Sequence, residues 1–120
     1  MGSVLEGERL IKHVYEALRS SPVWNETLFL ITYDEHGGFY DHVNPPSGVP
    51  APDEHVASNN FAFDRLGVRI PTIAISPWIN AGTVVSEPRK SDKPFPNSAY
   101  DSTSILATAN KLLGVDAGTV

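Results

Sequence analysis

The sequence predicts an α/β fold. Three observations predict it. An amphipathic helical pattern opens the chain, two short apolar runs read as strands, and a second helical pattern with end signals closes it. Two strands alone make a poor sheet, so the chain reads as a segment of a larger α/β domain, whose stability on its own stays open.

Residues 5–19 are predicted to form the first helix. Leu5, Leu10, Ile11, Val14, Tyr15 and Leu18 recur at three- and four-residue steps, with charges between them. Ser20-Ser21-Pro22 ends it, because proline disfavours helix in the residue before it. Asn25-Glu26-Thr27 matches a glycosylation sequon, which matters only in a secreted protein. Residues 28–33 form an unbroken apolar run and are expected to be a strand buried on both faces. Residues 44–68 are rich in Pro, Gly, Asn and Asp and read as a long surface loop. Residues 70–76 read as a second buried strand, with Pro71 near its start and Pro77 closing it. Another Pro-rich loop spans 86–97. Residues 101–113 are predicted helical, with Asp101 or Ser102 as N-cap and Gly114 near the C-cap.

Composition narrows the function classes. The 120 residues suit one small domain or a piece of a larger one, and 41% hydrophobic content supports a packed core. A formal charge of -5 disfavours a nucleic-acid partner, whose footprint is a basic patch. It does not disfavour phosphate substrates, since a bound cation reverses the local field. The absence of cysteine excludes disulfides and thiolate metal sites. No apolar run is long enough to span a bilayer. Glu6, Glu8, Lys12 and Glu16 make residues 1–20 unlike a secretory signal, and the compartment stays open.

The richest chemistry lies in Tyr33-Asp34-Glu35-His36-Gly37-Gly38-Phe39-Tyr40-Asp41-His42-Val43. Two acids follow the first apolar run directly. In open parallel sheets, ligands bind beyond the carboxyl ends of strands. Neighbouring side chains on a strand point to opposite faces, so both acids reach one centre only where the chain is turning. Gly37 and Gly38 supply that turn. The set suits a hard divalent cation or acid–base chemistry on a phosphate; the alternative is a solvated strand end. His36 and His42 can be metal ligands, general acids, donors to a phosphoryl oxygen, or structural imidazoles. Asp41 can orient an imidazole, join a metal shell or cap a turn.

Other groups carry weaker signals. Asp53, Glu54 and His55 lie in the Pro-rich loop and are expected to be solvent-exposed. Arg65 and Arg69 can clamp an anion, or pair with Asp64. His13 reads as an exposed helix residue, and Trp24 and Trp78 as packing residues.

Several of these stretches together resemble the phosphoesterase family that includes plant non-specific phospholipases C, bacterial phospholipases C and related acid phosphatases. They are residues 14–22, the run from Thr32 to Val43, the run from Phe63 to Thr72, Ser76-Pro77-Trp78-Ile79 and Gly82-Thr83-Val84-Val85. The resemblance covers most of residues 6–115. It implies a three-layer α/β/α fold like that of alkaline phosphatase and hydrolysis of phosphate esters. It matches Asp34 and Glu35 to paired acidic ligands of a divalent metal ion. It makes His36, Asp41 and His42 motif positions and the catalytic candidates, without assigning their separate roles; in the expected mechanism a nearby imidazole protonates the leaving alcohol. Phospholipid or another phosphate ester is the implied substrate. Peripheral membrane contact is open, and oligomeric state is not indicated.

The departures matter as well. The family's Glu-Asn metal motif and its Thr or Ser nucleophile region have no counterpart in this sequence. Residues 1–120 are therefore expected to be the C-terminal part of a catalytic domain. In Asp101-Ser102-Thr103-Ser104, Ser102 stands where the family usually has His.

Overall fold

The computed structural model describes residues 3–51, 53–54, 56–57 and 59–115. They fall into two units: residues 1–32 with 71–83, and residues 33–70 with 84–120.

The first unit contains helix α1, Val4–Arg19, and strands β1, Phe29–Thr32, and β2, Thr72–Ile75. The serine-serine-proline signal ends α1 where expected. The Glu16 carbonyl accepts from both the Ser20 N–H at 3.1 Å and the Ser20 hydroxyl at 2.8 Å, which closes the last turn. Glu6–Arg9 and Lys12–Glu16 pair along its exposed surface at 2.7 and 2.6 Å.

The strands pair antiparallel, with Phe29 opposite Ile75, Ile31 opposite Ile73, and Thr32 opposite Thr72. The parallel-sheet argument used for the acids therefore does not apply to this pair. The reason lies in the connection. A parallel pair needs a crossover, usually a helix, and no helix lies among the described residues between β1 and β2. The Thr32 and Thr72 hydroxyls meet across the end of the ribbon at 2.9 Å.

Neither strand is buried as the sequence suggested. β1 is half-buried at its first three residues and β2 only at Ile75. Among the described residues none is buried. Extensive packing between elements is confined to β1 on β2, and two strands form a ribbon without a covering layer. Leu10 of α1 accordingly stays 64% exposed.

Trp24 packs edge-on against Tyr15, ring centroids 6.2 Å apart, beneath the Arg19 guanidinium. Trp78 departs from the packing role expected of it. Its ring is 81% exposed, and its indole N–H donates to the Asn25 carbonyl at 2.7 Å. The polar edge of the indole, not its apolar body, fixes this residue.

The second unit contains helix α2, Thr103–Leu113. Asp101, not Ser102, caps it. Asp101 Oδ1 accepts from the Thr103 N–H at 2.9 Å, and the Asp101 N–H donates to Ser104 Oγ at 3.1 Å. This reciprocal arrangement satisfies donors at the helix start. Gly114 closes the helix at φ 67°, as the C-cap signal required. In the long loop, Ser47 and Arg65 form an antiparallel bridge, and the Leu66 N–H donates to the Pro46 carbonyl at 2.9 Å. The Asn97 side chain donates to the Gly48 carbonyl. The loop at 86–97 holds a single 3-10 turn, Lys90–Asp92, braced by Arg89–Asp92 and Lys93–Glu87 ion pairs. Among the described residues, no helix is long and apolar enough to cross a membrane.

Candidate functional site

Along the chain, Asp34 follows β1 after one intervening residue. The backbone turns there as the glycine pair predicted, with Gly37 at φ 69° and Gly38 at φ 73°. These are left-handed conformations, open to glycine at little cost. A Cβ at 37 would lie 3.0 Å from two ring carbons of Phe39, whose exposed ring can rotate away, so the positive φ is the main reason for glycine there.

The acids participate in the turn. Asp34 Oδ1 accepts from the Glu35 N–H at 3.1 Å, and Glu35 Oε2 accepts from the Gly37 N–H at 2.9 Å. Each carboxylate thus uses one oxygen to shape the loop. The other oxygen of each has no protein partner among the described residues. Both residues are exposed. His36 is half-exposed, its Nδ1 3.8 Å from Glu35 Oε2.

Asp41 differs from the other two acids. Its side chain is only 14% exposed. Arg69 Nε donates to its Oδ2 at 2.7 Å, and Arg69 Nη2 donates to its Oδ1 at 3.3 Å. The Val43 N–H donates to Oδ1 at 2.9 Å. The Val43 amide first, and Arg69 with it, hold the Asp41 carboxyl below the usual aspartate range. His42 is 80% exposed, with its Nδ1 3.4 Å from the same Oδ1.

The structure therefore brings together Asp34, Glu35 and His36 in one turn, and Asp41, His42 and Arg69 in another. Arg69 pairs with Asp41 rather than Asp64. Arg65 lies over the Phe61 ring, 5.0 Å from its centroid. The sequence signal for the Arg69–Asp41 pair was slight: an arginine and an acid in two separate motif stretches. His13, Asp53 and Glu54 are exposed as expected, and His55 lies outside the described residues. A concavity of about 730 Å³ is lined by Glu87, Arg89, Lys93 and Phe95 among others, and by none of the candidate residues.

The donor set can be tested against a divalent metal ion. Two hard carboxylate oxygens free of protein partners are the kind of ligand magnesium-like ions take, often one or two per site with substrate phosphate completing the shell. The donor chemistry fits. Among the described residues no group of three or more His, Asp or Glu converges to hold a metal ion, so the pair would supply only part of a shell.

These features belong to a recognised class. The Phosphoesterase family matches residues 2–116, and the chain belongs to it. Among curated relatives, the chain is 58% identical over 115 residues to non-specific phospholipase C6 of Arabidopsis thaliana, covering 93% of this chain and 22% of the relative. It is 58% identical over 112 residues to non-specific phospholipase C4 of the same plant, covering 91% of this chain and 20% of that protein. Hemolytic phospholipase C of Pseudomonas aeruginosa is 37% identical over 120 residues, covering 91% and 15% respectively. The chain thus spans about a fifth of the length of the plant relatives it matches.

Proposed function

We propose that this chain contributes the acidic metal-binding turn of a phospholipase C-type phosphoesterase, as the C-terminal part of its catalytic domain. The observation that carries this is the pair of carboxylates, Asp34 and Glu35, each with one oxygen free, within a chain whose relatives are named phospholipases C. The three-layer α/β/α arrangement expected from the resemblance belongs to the same proposal.

Asp34 and Glu35 would hold a divalent cation through their free oxygens. A cation so held supplies charge neutralisation for a phosphoryl group. His36 and His42 are the candidates to pass a proton to the leaving alkoxide. Asp41, held in place by Arg69 and Val43, acts by orienting His42. The substrate is a phospholipid, with a soluble phosphomonoester as the competitor.

A chimera tests this. The matched segment of the Arabidopsis phospholipase C4 is replaced by this chain, and hydrolysis of phospholipid in mixed micelles is compared with that of a chromogenic phosphomonoester. Metal-dependent phospholipid turnover is expected, falling roughly 100-fold or more in Asp34→Ala and Glu35→Ala, since several kcal/mol of charge stabilisation is removed. Full activity in the double variant would overturn the assignment.

A second reading, a homologue without turnover of its own, is favoured by the two-acid donor set and by Ser102 in place of His. Assay of the 120-residue chain alone separates the two. Metal-dependent turnover abolished by Asp34→Ala would end the non-catalytic reading.

A further inference from the structure

We propose that Arg69 is a positioning residue for His42, acting through Asp41; its catalytic meaning rests on the role proposed above for His42. The Arg69 fork grips both oxygens of Asp41 from 28 positions away in sequence, Nε to Oδ2 at 2.7 Å and Nη2 to Oδ1 at 3.3 Å. The Val43 N–H, one residue beyond His42, donates to Oδ1 at 2.9 Å. These bonds fix the plane of the carboxylate. A carboxylate held by one bond could swing about its χ2 axis; one held at both oxygens cannot.

The fixed plane sets what His42 meets. Its Nδ1 lies 3.4 Å from Oδ1, while the ring stands 80% exposed. The two side chains approach without a formed hydrogen bond, so the Asp41 carboxylate acts on the ring through its charge beside Nδ1. An acceptor beside Nδ1 favours the proton there and leaves Nε2 bare and able to take up a proton. Asp–His pairs position imidazoles in this way on unrelated folds. Arginine suits the task better than lysine, because a single ammonium cannot hold both carboxylate oxygens in one plane. The depressed carboxyl of Asp41 agrees, since the acceptor stays ionised wherever the imidazole is neutral.

The test uses the 120-residue chain itself and does not depend on turnover. Long-range proton–nitrogen correlation spectra at about pH 8, above the ordinary imidazole range, report each histidine's tautomer. His13, exposed on α1 in the field of the Glu16 carboxylate, serves as the comparison imidazole in the same molecule. In the native chain His42 is expected to be mainly the Nδ1–H tautomer and His13 not. In Arg69→Gln the His42 tautomer ratio is expected to fall at least threefold, to the His13 value. The Val43 amide should meanwhile keep its native shift, because its bond to Asp41 survives. Arg69→Lys is expected to fall between the two.

A native His42 indistinguishable from His13 would overturn the proposal, as would an unchanged ratio in Arg69→Gln. Loss of the Val43 amide shift along with the tautomer would assign Arg69 a merely structural role and overturn it too. An inactive chimera with the expected tautomers would sink the catalytic reading and leave the positioning intact.

Discussion

The turn that presents Asp34 and Glu35 depends on a backbone conformation only glycine adopts readily, and Gly37→Ala tests that dependence. Gly37 sits at φ 69°, where an L-residue pays about 1–2 kcal/mol. The new Cβ would also lie 3.0 Å from Phe39 Cδ2 and Cε2. Phe39 is exposed and its ring can rotate away, so this contact adds little. About 1–2 kcal/mol corresponds to a factor of roughly 5–30 in the population of the native turn. Apparent affinity falls with the fraction of competent conformer, so divalent cation binding should weaken by up to that factor. Isothermal titration of the chain with magnesium, manganese and calcium measures it. Gly38→Ala is the control: it shares the positive φ, at 73°, but a Cβ there meets nothing within 4 Å. Equal losses in the two variants would assign the whole effect to backbone strain. Unchanged affinity in both would mean that this turn does not present the acids, and the cation reading would fail.

Four further outcomes are expected. Asp101→Ala removes the cap that accepts from the Thr103 N–H and should cost α2 about 1 kcal/mol, read as lost helicity by circular dichroism; unchanged helicity would reassign the cap. The Trp78 indole proton should exchange with solvent more slowly than that of Trp24, despite the 81% exposure of the Trp78 ring, because it is bonded to the Asn25 carbonyl. Thr32→Val removes the 2.9 Å hydroxyl contact with Thr72 and should cost about 0.2–1 kcal/mol, seen as faster amide exchange in β1 and β2. Asp41 has its carboxyl lowered in the folded chain, so its contribution to stability is present above the ordinary aspartate pKa of about 3.9 and is lost as pH falls through its lower folded value. The Arg69 Nε–H and Val43 amide shifts should report that midpoint, and one at or above about 3.9 would refute the assignment.

Much of the local structure was legible in the sequence because its causes are local. Ser20 and Pro22 mark the end of α1, Gly114 the end of α2, and Gly37-Gly38 the turn at the acids. Each signal acts on its own backbone, so the fold has little freedom to override it. Pairing direction and burial were not legible, because both are decided by what lies alongside. Residues 28–33 read as doubly buried from their composition, yet a strand is buried only by covering layers, and β1 has one neighbouring strand and half-buried residues. The Arg69–Asp41 pair was hidden for a related reason. Which acid meets Arg69 depends on the path of the intervening loop, pinned by the Ser47–Arg65 bridge and the Leu66–Pro46 backbone bond. Those contacts carry no periodicity, so proximity in sequence pointed to Asp64 instead.

The three acids of the candidate site illustrate why bonding, rather than residue type, assigns roles. Asp34, Glu35 and Asp41 are interchangeable as carboxylates on paper. A cation approaching Asp41 would meet the guanidinium of Arg69 already paired with both carboxylate oxygens, and like charges at such distances disfavour each other. Asp34 and Glu35 pair with no arginine or lysine and each retains one oxygen free of protein partners among the described residues. Glu35 has the His36 imidazole 3.8 Å away. On the function proposed above, the cation would belong with residues 34 and 35, and the oriented imidazole with 41 and 42.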